Sequence, residues 1–253
     1  MVESVSIGIE KLDKILLNGV PKGYTILVKG TPGAGMELFA KQFMSIGSQT
    51  ENRLYISTTE GSSEIKELMR NYGWSTDFEV QDISNRYFEE VLVKEQEISR
   101  LKRDGLTVAE LLELSSIKDG KTEKANFLTD ISFEITSMTP PYRVVVDSLD
   151  FFLEHYDPQE VISAVRSIKA HTHYNKGVTL LTLVANMHER QVENSLDAIA
   201  DMIIEMIVKQ VASEFENQML VRKVRNYPDK TAVLTYSIDP KNGITPEMVK
   251  RVA

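Results

Sequence analysis

Along this chain short apolar runs alternate with longer stretches in which apolar positions recur every third or fourth residue. Residues 24–29, YTILVK, form an apolar run with β-branched content. LFAKQFMSIG follows a few residues on, with Leu38, Phe39, Phe43 and Ile46 near helical spacing. The unit predicted is strand, loop, helix. RLYIS (53–57) has the pattern of a second buried strand, and SSEIKELMRNYGW sets Ile65, Leu68, Met69 and Tyr72 at i, i+3, i+4 and i+7, with Ser62 or Ser63 as cap and Gly73 as stop.

From about residue 84 to 138 the pattern is helical and polar. Phe88, Val91, Leu92, Ile98 and Leu101 make one stripe, Leu111, Leu112 and Leu114 another, and GKTEKA reads as a loop. YRVVVDS (142–148) is a near-continuous apolar strand ending in a carboxylate. Asp157 before Pro158, with Glu160 three residues after the cap, marks a helix start, and Val161, Ile162, Val165 and Ile168 form its core face. VTLLTLVA (178–185) is a further buried strand. MIIEMIVKQ (202–210), QMLVRKV (218–224) and TAVLTYSI (231–238) then follow with short turns, as an antiparallel meander. Strand and helix alternate through about residue 185, and the strands are apolar along their whole length. This predicts an α/β fold with a mostly parallel twisted sheet, helices on both faces and a C-terminal antiparallel meander.

Composition narrows the class. Hydrophobic residues at 42% and charged residues at 26% are ordinary for a folded chain, and no Gly, Ser or Pro run marks a linker, so 1–253 is read as one domain with a helical insertion at about 80–138. No run approaches about 18 apolar residues, and MVESVSIGIEKL lacks the layout of a signal peptide. A soluble, cytoplasmic protein with no membrane contact is expected. The absence of cysteine excludes disulfides, a Cys nucleophile and thiolate zinc sites. A balance of 29 basic against 37 acidic residues gives a net charge of −8, which repels a polyanion at long range and disfavours nucleic acid. The one dense basic stretch is VRKVR (221–225).

The chemistry gathers at three places. GTPGAGME (Gly30, Thr31, Pro32, Gly33, Ala34, Gly35, Met36, Glu37) has the glycine spacing of a phosphate-binding loop, with Met36 where the lysine belongs and Glu37 where the hydroxyl belongs. Glu60 follows the second strand and Asp147 ends the strand at 142–148. In an open α/β sheet such strand ends converge on one edge, where ligands bind. A nucleotide pocket is the natural expectation.

The layout SIGIEKLDKILLNGVPKGYTILVKGTPGAG, NRLYISTTE, ELMRNYGW, RVVVDSL, LEHYD and a late VRKVRN resembles the RecA-like ATPases of the KaiC and RadA type, over most of the chain apart from about 80–138. The resemblance implies a RecA-like ATP-binding core, often assembled into a ring with ATP at the subunit interface. Gly30, Gly33 and Gly35 match the loop glycines, whose backbone N–H groups could form an anion nest. Met36 removes the ammonium that reaches the β- and γ-phosphates, and Glu37 removes the hydroxyl that ligates Mg²⁺ while adding a carboxylate. Even at an effective dielectric near 20, one like-charge contact at about 4 Å costs on the order of 4 kcal/mol. Glu60 matches the second of a glutamate pair that serves the attacking water, but Thr59 stands at the first position. Asp147 matches the Walker B aspartate. Lys223 and Arg225 match basic residues that reach a neighbour's γ-phosphate, with Val224 between them.

Bland readings stand beside these. The glycine loop could be kept as a strand-to-helix turn, with Met36 packing and Glu37 favouring the helix dipole and accepting from the loop amides. Asp147 could be a remnant hydrogen-bonded at its strand end, Glu60 a surface acid, and Lys223 with Arg225 a solvated strand face. His171 and His173 pair with no carboxylate at ligand spacing, and no metal site is expected.

Two functional readings follow. In the first the protein is a pseudo-ATPase, without cofactor, that regulates or scaffolds through a protein or peptide partner and forms a homo-oligomer. In the alternative it binds ATP and Mg²⁺ weakly, with Lys223 or Arg225 of a neighbour completing the site. DNA binding is opposed by the acidic stretch NMHERQVENSLDAIAD (186–201).

Overall fold

The computed structural model describes residues 3–103, 126–211 and 214–250. The elements begin with β1 (Ser4–Val5), α1 (Glu10–Ile15), β2 (Val20–Pro21), β3 (Thr25–Gly30), α2 (Met36–Ser45), β4 (Asn52–Ser57), α3 (Ser62–Asn71) and β5 (Glu79–Asp82). Then come α4 (Ile83–Tyr87), a π-helical turn (Phe88–Leu92), α5 (Val93–Arg103), α6 (Phe127–Ser137), β6 (Tyr142–Asp147), α7 (Asp150–His155) and α8 (Pro158–Asn175). The chain closes with β7 (Val178–Val184), α9 (Arg190–Ile199), β8 (Met202–Val211), β9 (Glu214–Val224), β10 (Ala232–Asp239) and β11 (Gly243–Lys250).

One sheet carries the fold, in the order β11-β10-β9-β8-β3-β7-β6-β4-β5. From β8 to β5 every neighbouring pair is parallel, and from β8 to β11 every pair is antiparallel. The predicted mostly parallel sheet and C-terminal meander are therefore the observed ones. Side chains alternate across the strands. Ile26 and Val28 of β3 enter the core with Phe39 and Phe43 of α2, while Leu27 enters the opposite core with Val161 and Val165 of α8 and Leu196 of α9. Both faces are covered, which is why the inner strands are apolar throughout.

Local chemistry departs from expectation in instructive places. Asp157 caps α8 as predicted, accepting from the Gln159 N–H at 2.7 Å. α3, however, begins after Gly61, which has no side chain to cap with, and the carboxylate of Asp82 at the end of β5 accepts the Ser62 N–H at 3.1 Å. The cap comes from a neighbouring strand end and is invisible to a local reading. β5 itself reads EVQD and lies at the edge of the sheet, half exposed, so it needs no apolar run. The helical stretch predicted from about 84 begins at Ile83, directly after β5, and α6 at its other end buries Phe127, Leu128, Ile131 and Ile135 in the core shared with α8 and α9. Leu111, Leu112, Leu114 and GKTEKA lie outside the described residues. No helix among those described is long and apolar enough to cross a membrane.

Candidate functional site

β3 and α2 are joined by residues 31–35, and Gly33 (φ 82°) and Gly35 (φ 79°) take the left-handed backbone that makes so tight a turn possible. The meander grips this loop from the side. Thr31 donates its N–H to the Met206 carbonyl at 3.0 Å, and its hydroxyl accepts from the Val208 N–H at 3.2 Å. The Tyr236 hydroxyl donates to the Ala34 carbonyl at 2.6 Å, and a Cβ on Gly35 would lie 2.9 Å from Ile238 Cδ1. Pro32 and Gly33 stay at the exposed tip.

Met36 and Glu37 turn opposite ways. The Met36 side chain is buried and lies on Gly30 so closely that a Cβ there would meet Met36 Cγ at 2.4 Å. Glu37 is exposed, and among the described contacts its carboxylate accepts nothing from the loop amides. The expectation that Glu37 fills the loop from within is not met, because the helix starts with Met36 facing the core and turns the next residue outward.

Glu60 stands on a turn whose backbone is pinned from both sides. Ser57 Oγ donates to the Glu60 carbonyl at 2.7 Å and accepts from the Glu60 N–H at 3.1 Å. Its carboxylate meets Lys41 Nζ at 2.5 Å, and Lys41 is wholly buried. Thr59 is exposed. Asp147 is buried at the end of β6 with both oxygens engaged: the Tyr55 hydroxyl donates to one at 2.5 Å and the Thr182 hydroxyl to the other at 2.7 Å. Burial, and after it the charges of Asp147, Glu60 and Glu37, hold the Tyr55 phenol well above its ordinary value, so it stays a donor.

Lys223 and Arg225 are elsewhere. Val224 and Lys223 pair with Met202 and Ile203, which lie beside Ile26 and Leu27 early in β3, so both basic residues sit at the sheet edge opposite the loop. Lys223 Nζ donates to the carbonyls of Asp197 (2.8 Å) and Ala198 (3.2 Å) at the end of α9. Arg225 follows β9 and meets Asp201 at 3.0 Å. The structure thus brings Gly30–Glu37, Glu60 and Asp147 to one edge and leaves Lys223 and Arg225 apart from them.

Sequence reading missed four elements of this arrangement: Lys41, Tyr55, Thr182 and a second buried lysine, Lys29. Lys41 could have been found as a charge among the helix positions Leu38, Phe39, Ala40 and Phe43, all buried. Lys29 Nζ lies 2.8 Å from Asp197 and 3.9 Å from both Glu193 and Glu205. With buried Asp201 paired to Lys169 and Arg225, three of the four acids in the stretch 186–201 are spent inside the fold, which weakens the argument from that stretch against DNA. His171 Nε2 lies 3.2 Å from the Met138 carbonyl, and no group of three or more possible ligands among the described residues could hold a metal ion.

A parallel sheet with a glycine turn after β3, an acid on the turn after β4, another at the end of β6, and an antiparallel extension defines a RecA-like ATPase fold. The chain belongs to the KaiC family of ATPases, whose model matches residues 5–248. It is 35% identical over 78 residues to a UPF0273 protein of Thermotoga maritima, covering 30% of this chain and 32% of that one. To the circadian clock oscillator protein KaiC of Thermostichus vulcanus it is 34% identical over 76 residues, 29% of this chain and 15% of the relative. The chain thus aligns with a third or less of these curated relatives' length. The crystal structure of the KaiC-like protein PH0186 from Pyrococcus horikoshii matches with a TM-score of 0.67 at 19% identity, covering 98% of this chain and 100% of that one. That likeness concerns the fold.

Proposed function

We propose that this KaiC-family protein is a pseudo-ATPase that acts as a regulatory or scaffolding module, through a protein or peptide partner and as a homo-oligomer. The observation that carries this reading is the start of α2. Where a triphosphate would need an ammonium and a magnesium-ligating hydroxyl, Met36 is buried on Gly30 and Glu37 presents a carboxylate. Further support comes from Asp147, whose two oxygens already accept from Tyr55 and Thr182, and from Glu60, whose carboxylate is held by Lys41. These residues do not fit a magnesium-bound triphosphate, and we assign no hydrolytic step to them.

A calorimetric titration of ATP and Mg²⁺ tests the reading. Wild type is expected to show no micromolar binding, and Met36→Lys/Glu37→Thr to gain about a thousandfold, the size of one screened like-charge contact. Micromolar binding by wild type would overturn the pseudo-ATPase reading. It would favour the alternative, in which the weakened loop still binds nucleotide and Lys223 or Arg225 of a neighbouring subunit completes the site; the loop tip is open, with nothing within 4 Å of a Cβ built on Gly33.

A further inference from the structure

The group this site uses without precedent in its loop motif is Lys41. It lies one turn into α2 at a position flanked by buried Ala40 and Gln42, and its side chain has no exposed surface. Helical side chains lean toward the helix N-terminus. Lys41 therefore climbs back up α2, and its ammonium reaches to 3.5 Å from the Glu37 carbonyl, in the first turn, as well as to the Glu60 carboxylate at 2.5 Å. A positive charge rooted in the core is thus delivered to the level of the glycine loop, between α2 and the end of β4.

We infer that Lys41 is a positioning residue that latches Glu60, holding its carboxylate in an ion pair and so unavailable as a base at the loop. The inference rests on the pseudo-ATPase reading and gives it a second, separable cause: Met36 and Glu37 weaken binding, while Lys41 silences the acid. Ser57 fixes the Glu60 backbone through two hydrogen bonds, so the carboxylate is the part free to swing, and the ammonium is what holds it. Removing Glu60 from this pair is costly, because the wholly buried ammonium is left as an uncompensated charge, whereas Glu60 alone still reaches solvent. Replacing both partners with neutral groups removes that cost.

This asymmetry gives the first test. Thermal midpoints of Glu60→Gln, Lys41→Met and the double variant should show a large loss for Glu60→Gln, little change for Lys41→Met, and recovery in the double variant to near the Lys41→Met value. Additive losses would overturn the latch. The second test uses a chain with repaired binding residues, Met36→Lys/Glu37→Thr/Thr59→Glu. Adding Lys41→Met should raise kcat for ATP about tenfold or more, the low end of what a freed general base contributes. The Kd for ATP should stay within about twofold. Adding Lys41→Arg instead should keep kcat low, since the cation is retained. An unchanged kcat on adding Lys41→Met, or equal rates with Met and Arg, would overturn the latch while leaving the pseudo-ATPase reading intact. Micromolar ATP binding by wild type would instead sink that reading.

Discussion

Lys41 and Lys29 are both buried, yet their surroundings are opposites. Lys41 has one carboxylate, Glu60, and the pair is neutral. Lys29 faces Asp197, Glu193 and Glu205, with exposed Arg222 on Glu205 at 2.8 Å and Lys223 Nζ on the Asp197 carbonyl at 2.8 Å. Of these three cations Lys29 alone is buried, and one oxygen each of Glu193 and Asp197 is buried without a hydrogen-bond partner. The two cores meet at β3. On the α2 face Lys41 and Glu60 neutralise one another, Asp147 is held by two hydroxyls and Glu37 faces solvent, while on the α9 face three carboxylates gather round one buried ammonium. The first arrangement makes a quiet edge, and the second makes a structural clamp whose strength depends on Lys29.

The largest expected effect follows from removing that clamp. Lys29→Met leaves three carboxylates gathered under α9 with no buried counterion, and unfolding in urea should lose about 3–5 kcal/mol. A loss below about 1 kcal/mol, within the range of surface ion pairs, would mean that the carboxylates reach solvent, and the contrast between the two lysines would collapse.

A smaller effect probes the quiet edge. Tyr55→Phe removes the donor to one buried oxygen of Asp147 while leaving Thr182 on the other. An unpaired buried acceptor costs about 1–3 kcal/mol, and urea unfolding should show a loss of that order. No loss would imply that Asp147 already had water as a partner, so that the edge is not internally satisfied.

How much of this was legible beforehand follows the same division. The inner strands and α2, α3 and α8 were readable because their burial patterns are local: apolar runs for strands covered on both faces, 3.6-residue spacing for helices. β5 and β11 were not, since an edge strand such as EVQD carries no apolar signature and β11 contains Pro246. The loop substitutions Met36 and Glu37 stood out against a known spacing, and so did Glu60 and Asp147. What pairs with those acids was hidden, because Lys41, Tyr55 and Thr182 come from three different elements and meet only when β4, β6, β7 and α2 are assembled. Lys223 and Arg225 were read as one face of a strand, yet β9 ends at Val224 and each finds its own partner.

Lys223 offers the smallest effect and the finest measure of how far the surplus charge extends. Its ammonium caps the end of α9 on the carbonyl of Asp197 itself, about one turn beyond Glu193. Burial pushes its pKa below the ordinary lysine value, with Lys169 adding to the shift and Asp201 and Asp197 opposing it. With the folded value below the unfolded one, the unfolded chain binds more protons between the two, so stability rises with pH in that window, up to the ordinary value of about 10.4. Lys223→Gln keeps a donor for the helix carbonyls and removes the titration. The thermal midpoint of wild type relative to this variant should therefore climb as pH rises toward about 10, by little because the group is partly exposed. A difference that falls with pH instead would mean that attraction to Asp197 and Asp201 outweighs burial. The negative surplus around Lys29 would then reach the whole length of α9, and the clamp would be a property of the helix rather than of one residue.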